Sequence, residues 1–298
     1  MKIGLIGLGK MGYNLALNLK RNGHDVIGYD VNQAIMESIN TDGVETASSL
    51  SDLVGKLGAN RVIWMMIPSG EFVESALSDL KPLLIKGDII VEGGNSNYKD
   101  SIRRSGEWEP LGVHYLDCGT SGGTEGALNG ICAMIGGSKE GFERIESVIK
   151  DISQPGAYLH CGPAGSGHYV KMIHNGIEYG MMQAIAEGFE MLQKSDMDLD
   201  LAKIAGLWNQ GSVVRSWLME LTERALTKEP DLASIKGIMN SSGEGKWTLE
   251  TALEKQIATP VIALSLIMRY RSLEDDSFAG KIVAALRNEF GGHALVKK

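Results

Sequence analysis

Cysteine is scarce in this chain. Only Cys118, Cys132 and Cys161 occur in 298 residues, and none pairs in a C-x-x-C spacing. An odd, sparse set excludes a disulfide framework and points to a reduced, cytoplasmic protein. Zinc-ligand spacing is missing too, so no metal is expected. No uninterrupted apolar run of about 18 residues exists, which argues against a membrane-spanning helix. The opening Met1–Ile6 run is broken at once by Gly7, Gly9 and Gly12, so no signal-peptide layout is read there. Positive charge is also short: 29 Lys and Arg face 37 Asp and Glu, a net charge of -8. That balance argues against a nucleic-acid or anionic-membrane surface. A few local cations can still hold an anionic substrate. Internal repeats and low-complexity tracts are absent.

What is present is a rhythm. Short apolar runs at Ile3–Ile6, Asp25–Tyr29, Arg61–Met66, Asp88–Glu92 and His114–Asp117 read as buried strands. Amphipathic segments near Met11–Asn22, Gln33–Asn40, Ser48–Leu57, Glu71–Leu80 and Asp100–Glu107 read as the helices between them. The alternation predicts an α/β, Rossmann-like, doubly wound parallel sheet. Ile131–Ile135 and Tyr158–His160 are candidates to extend it. After Pro163 helical patterns take over, which predicts two domains: a dinucleotide-binding one over 1–163 and an all-helical one over 164–298. Val170, Ile173, Ile177, Met181, Ile185, Phe189 and Leu192 recur at helical spacing. They mark one helix of about 25 residues, roughly 38 Å long.

Gly7-Leu8-Gly9-Lys10-Met11-Gly12 follows the first strand and opens a helix. In that setting, the glycines permit a tight turn and let the backbone approach a pyrophosphate at the helix N-terminus. Asp30 ends the second strand, where an acidic side chain accepts from the adenosine ribose hydroxyls and repels a 2′-phosphate. No arginine follows it directly, so NAD is expected rather than NADP. An aspartate there can also cap the following helix. Pro68 and Ser69, and the segment Glu92-Gly93-Gly94-Asn95-Ser96, follow later strands at the ends where this fold gathers its ligands. Asn95 is thus a candidate for contact with both the nicotinamide ribose and substrate, a plain turn being the alternative.

The Gly119–Gly126 segment is too glycine-rich for a core element. Its amides and hydroxyls suit a carboxylate or phosphate, and otherwise it is a flexible connector. Lys171, His174, Asn175 and Glu178 fall within an arc of roughly 100° on the long helix. A polar stripe on an otherwise apolar helix is either solvated or functional. Its ends, Lys171 and Glu178, stand roughly 10 Å apart along the axis, enough to address two carbons of one extended substrate.

At these residues the sequence resembles the decarboxylating 6-phosphogluconate dehydrogenases. His168–Gly180 is nearly unaltered from that family, as are Gly94-Asn95-Ser96, Ser121-Gly122-Gly123 and Gly243-Glu244-Gly245-Lys246-Trp247-Thr248. The likeness covers essentially the whole chain, in a short bacterial form with a truncated helical domain. It implies that Lys171 is the general base at the C3 hydroxyl and that Glu178 protonates the enediol. It implies that Asn95, Ser121, Gly122, Gly123, His174 and Asn175 hold the sugar acid, and that Tyr179 and Arg269 contact its phosphate. An arginine and a histidine near the C-terminus reach the partner subunit's site in that family. Arg287 and His293 match their spacing, and the helical half, rich in Met, Leu and Ile yet small for its long helices, is expected to bury a face on a second subunit in a homodimer or homotetramer. Two departures stand out. Ser242 occupies the place of a phosphate-loop lysine in many long forms, which leaves the phosphate to Arg269, Arg271 or Lys246. Asp30-Val31-Asn32 replaces the Asn-Arg-Thr of NADP-using members. The rival readings are a β-hydroxyacid dehydrogenase of the 3-hydroxyisobutyrate type and a dinucleotide-binding protein without turnover. The His174-Asn175 pair and Glu178 speak against the first, and the joint presence of Lys171 and Glu178 against the second.

Overall fold

The computed structural model describes residues 1–297. It divides into two compact units, Met1–His174 and a second beginning at Asn175. The first unit alternates β1 (Lys2–Ile6), α1 (Lys10–Arg21), β2 (Asp25–Tyr29), α2 (Gln33–Thr41), β3 (Glu45–Thr46), α3 (Leu50–Leu57), β4 (Val62–Met65), α4 (Glu71–Leu80), β5 (Ile89–Glu92) and α5 (Tyr98–Trp108). It continues through β6 (His114–Ser121), α6 (Gly123–Asn129), β7 (Ile131–Gly136), α7 (Lys139–Ile152) and β8 (Ser153–Gly162). One helix, α8 (Ser166–Gln193), carries the chain into the second unit. There follow α9 (Leu201–Trp208), α10 (Trp217–Lys228), α11 (Gly243–Glu254), α12 (Pro260–Ser272) and α13 (Phe278–Gly291).

The eight strands form one sheet in the order β3-β2-β1-β4-β5-β6-β7-β8. Every pair is parallel except β6 with β7. The expected doubly wound sheet is therefore present. Its apolar strands are buried on both faces, as a parallel sheet covered by helices requires. Alternate side chains serve opposite cores: Val62 and Trp64 join the cluster of Ile3, Leu5 and Leu15, while Ile63 and Met65 join that of Leu53, Val73 and Leu77. Strand order reverses between β2 and β4, on either side of β1, and that is where an open sheet of this kind leaves a crevice.

Three local features depart from expectation. The strand read as His114–Asp117 runs on to Ser121, and α6 starts at Gly123, so the glycine segment is a strand end joined to a helix start rather than a loop. The short Tyr158–His160 run belongs to the longer β8. A two-residue β3, invisible to periodicity at that length, borders the sheet.

In the second unit Phe189, Ala205, Met219 and Leu226 form a small core, with Phe189 edge-on to Trp208 at 5.6 Å between ring centroids. Among the described residues none of α13 is buried. No described helix is long and apolar enough to cross a membrane.

Candidate active site

The crevice above β1 and β4 holds a cavity of about 710 Å3, lined among others by Gly7, Gly9, Lys10, Met11, Asp30, Pro68 and Asn95. Seven of the eight residues expected to bind a dinucleotide thus share one wall. Gly12 does not line it but makes it possible. A β-carbon there would stand 1.9 Å from the Gly7 carbonyl oxygen, so only glycine lets α1 pack this closely on the turn. Gly7 itself has φ +89°. The turn and the exposed first amides of α1 fit a pyrophosphate.

Asp30 holds this turn as well as facing the cavity. One carboxylate oxygen accepts the Leu8 N–H at 2.7 Å and the other the Asn32 N–H at 2.8 Å. A carboxylate has about four acceptor positions, so capacity remains for ribose hydroxyls. The helix cap considered for Asp30 falls instead to Asn32, whose side chain accepts from the Ala34 amide at 3.0 Å.

Asn95 lies in the loop after β5 with φ +57°, a conformation asparagine tolerates better than most residues. Its side-chain oxygen accepts the Thr120 N–H at 3.1 Å, tying the loop to the end of β6. At that end Ser121 Oγ lies 3.3 Å from His174 Nε2 on α8. Gly119, in the same strand, is pressed against Lys171: a β-carbon on it would lie 2.3 Å from Lys171 Cβ. Gly122 caps α6 with a left-handed backbone, and Gly123 follows at φ +58°.

Burial on α8 follows its apolar pattern only in the second half, where Phe189 is buried with Ile185 and Leu192 packed against the same core; the first half departs from it. Val170, Ile177 and Met181 from the apolar stripe are exposed by 41%, 53% and 42%, whereas Lys171 and Asn175 are exposed by only 5% and 9%. Glu178 and His174 are half-buried. A solvated polar stripe would show the opposite.

The second unit gathers its own polar cluster. Tyr179 is buried, and its hydroxyl accepts the Ser242 N–H at 3.0 Å and lies 3.1 Å from Ser242 Oγ. The Arg269 guanidinium stacks over the Tyr179 ring, 3.5 Å from its centroid, and donates to the Asn240 carbonyl at 2.9 Å. Gly245 packs against the same ring, where a β-carbon would stand 2.5 Å from Tyr179 Cε2. Ser242 is the N-cap of α11, yet its hydroxyl makes no capping bond to that helix. Arg271 donates to the Glu274 carbonyl, and Lys246 pairs with Glu250 at 3.4 Å. Of the three cations considered for a phosphate, Arg269 is the one stacked on Tyr179. Arg287 and His293 lie exposed near the end of α13.

Cys118 offers no nucleophile here: burial pushes its thiol up to about 12. No group of three or more His, Cys, Asp or Glu among the described residues is placed to hold a metal. Sequence reading missed that Glu92, Arg104 and His168 meet as a buried cluster beneath the Asn95 loop. Arg104 and His168 carry no spacing signal that separates them from ordinary helix residues.

Fold and glycine cradle together define a dinucleotide-binding protein of the two-unit dehydrogenase kind. Residues 2–164 match the NAD binding domain of 6-phosphogluconate dehydrogenase, and residues 167–294 match its C-terminal domain. The chain belongs to the 6-phosphogluconate dehydrogenase family. It is 58% identical to a Bacillus subtilis protein only provisionally assigned to that enzyme, over the full length of both. A Haloferax volcanii NAD(+)-dependent, decarboxylating 6-phosphogluconate dehydrogenase is 41% identical, covering 100% of this chain and 99% of that one. Among solved structures, Plasmodium falciparum 6-phosphogluconate dehydrogenase superposes with a TM-score of 0.86 at 32% identity, over 100% of this chain and 66% of that one. A Mycobacterium tuberculosis 3-hydroxyisobutyrate dehydrogenase shares the fold at 22% identity and a TM-score of 0.73, covering 92% and 94% of the two chains.

Proposed function

We propose that this chain catalyses the oxidative decarboxylation of 6-phosphogluconate to ribulose 5-phosphate and CO2 with NAD as oxidant. The observation that carries the reading is the burial of Lys171 on the helix face whose next turn brings His174 to Ser121. Bound NAD supplies a hydride acceptor; Gly7, Gly9, Lys10, Met11 and Pro68 hold it, and Asp30 takes the adenosine ribose. Lys171 takes the proton of the C3 hydroxyl as the C3 hydride leaves. Bulk water does not compete for that proton, because Lys171 is almost fully covered. The protonated amine then stands at the C3 keto oxygen and draws electrons there as the bond from C2 to the C1 carboxylate breaks. Lys171 gives its proton to that oxygen, and the enediol that remains is protonated by Glu178 at its terminal carbon, two helical turns further along α8, as Lys171 takes the hydroxyl proton back. Asn95, Ser121, Gly122, Gly123, His174 and Asn175 hold the sugar acid.

The terminal phosphate is assigned to Tyr179, Arg269 and the N-terminus of α11. Ser242 takes part there in place of a lysine, its hydroxyl being unspent on the helix. Arginine suits a phosphate dianion through paired N–H donors. A 3-hydroxyisobutyrate substrate has no phosphate to use such a cluster, which favours the sugar-acid reading. We also propose that the enzyme is a cytoplasmic homodimer or homotetramer, with Arg287 and His293 serving a partner's site.

The test is NADH formation with CO2 release on adding 6-phosphogluconate. NADH from 3-hydroxyisobutyrate and none from 6-phosphogluconate overturns the reading. Lys171→Ala is expected to lower kcat by about 10²- to 10⁴-fold, the usual worth of a general base. Near-normal turnover removes Lys171 from that role.

A further inference from the structure

Beneath the Asn95 loop lies a set of charged side chains that the reaction does not use directly. Glu92, Arg104 and His168 are exposed by 0%, 0% and 1%. One Glu92 oxygen accepts the Gly94 N–H at 2.8 Å, within the turn that presents Asn95. The other faces Arg104 Nη1 at 3.4 Å and His168 Nδ1 at 3.7 Å. Arg104 Nη1 also donates to Ser96 Oγ at 3.1 Å, on the far side of Asn95. Its Nη2 donates to Glu74 at 2.9 Å. His168 Nδ1 is 2.8 Å from Ser101 Oγ on α5. Asp117, also fully buried, accepts the Gly165 and His168 amides at 2.6 and 2.8 Å.

Burying such charges costs several kcal/mol per ion, and apolar residues of equal volume often serve stability better. What these charges do here is geometric. Asn95 is flanked on both sides by groups bound to the cluster: the Gly94 amide by Glu92 and the Ser96 hydroxyl by Arg104. The same Glu92 carboxylate faces the first turn of α8, one turn before Lys171. Loop and helix thus meet at one carboxylate.

We propose that Glu92 is a positioning residue of the active site, whose carboxylate, held by Arg104, fixes the Asn95 loop and the first turn of α8 in one register. This inference rests on the assignment of Asn95 and Lys171 to the reaction. Glu92→Gln keeps the shape and an acceptor for Gly94 but removes the charge that Arg104 and His168 face. Turnover of 6-phosphogluconate is expected to fall by about 10- to 100-fold, the scale of a slight misplacement of reacting groups. The KM for NAD stays close to the wild-type value, and the isotope effect with C3-deuterated substrate rises as hydride transfer becomes limiting. Amide hydrogen exchange is expected to quicken together in segments 93–97 and 165–171. If Glu92→Gln does not fold, Glu92→Asp, which keeps the charge but draws it back from the Gly94 amide, Arg104 and His168, is measured in the same way.

Exchange that changes in neither segment or in one alone overturns the proposal. So does a loss of turnover fully matched by lost NADH-binding sites with an unaltered isotope effect. A wild-type enzyme inert toward 6-phosphogluconate defeats the functional reading instead, and the paired exchange response then decides the positioning role by itself.

Discussion

Asp30 joins an expected ribose contact to an observed structural one. Its position at the end of β2 is legible in the sequence and predicts a ribose contact. Its hold on the Leu8 amide, which ties the glycine turn to the neighbouring strand, is not, because that contact joins residues distant in the chain. Removing the side chain is therefore expected to weaken NAD binding and to narrow the preference for NAD over NADP. For Asp30→Ala the NAD to NADP ratio of kcat/KM should fall by about tenfold or more, since hydrogen bonds to a charged group are worth roughly 1.5–3 kcal/mol. An unchanged ratio rejects the ribose role. Glu74 offers a test by pH. Burial acts to raise its pKa, but hydrogen bonds from Arg103 and Arg104 outweigh this and hold it below the usual carboxylate range. A carboxyl lowered in the folded state stabilises the fold above its unfolded pKa, and the contribution vanishes as pH falls through the folded value. Glu74→Gln is thus expected to lower Tm at neutral pH and to leave it unchanged under strongly acid conditions. Equal losses at both pH values show that charge is not what Glu74 contributes.

At the scale of elements, α8 is the instructive case. Its periodicity and length are plain in the sequence, and so is the stripe of Lys171, His174, Asn175 and Glu178. Which stripe is buried is not plain, because hydrophobic spacing gives the apolar side the stronger claim to the core. The structure covers Lys171 and Asn175 and exposes Val170 and Ile177. The glycine segment after Asp117 reads in the sequence as an anion-binding stretch or a flexible connector, and not as the strand end and helix start that it forms. Glycine has low intrinsic preference for either element, so neighbouring strands and the start of α6 decide its structure. The start of α11 permits a direct test. Gly245→Ala places a methyl against the Tyr179 ring and is expected to shift it from its place under Arg269. The KM for 6-phosphogluconate should then rise by about tenfold, a loss of about 1.4 kcal/mol, with NAD binding untouched. An unaltered KM argues that the Tyr179 cluster does not seat the phosphate.

For the whole molecule, the exposed apolar residues of α13 bear on assembly. Phe278, Val283, Leu286 and Phe290 are exposed by 75%, 57%, 56% and 78%, beside Arg287. Exposed apolar residues gathered on one helix are what an interaction site presents, and a second copy is the partner the proposed assembly supplies. Leu286→Asp with Phe290→Asp is expected to yield a monomer by light scattering, with a KM for 6-phosphogluconate raised by about tenfold or more if Arg287 and His293 act across subunits. A wild-type monomer of full activity refutes the shared site.

The sequence by itself determined the sheet, its helices, the glycine turn and the identity of the polar residues on α8. Each of these rests on local spacing, and local spacing survives in one dimension. The tertiary structure decided which helix face is buried, that Asp30 ties the turn to its neighbour, that Ser242 joins Tyr179, and that Glu92 sits between loop and helix. Those are meetings of residues far apart along the chain, and only the packed fold brings them within a few ångströms.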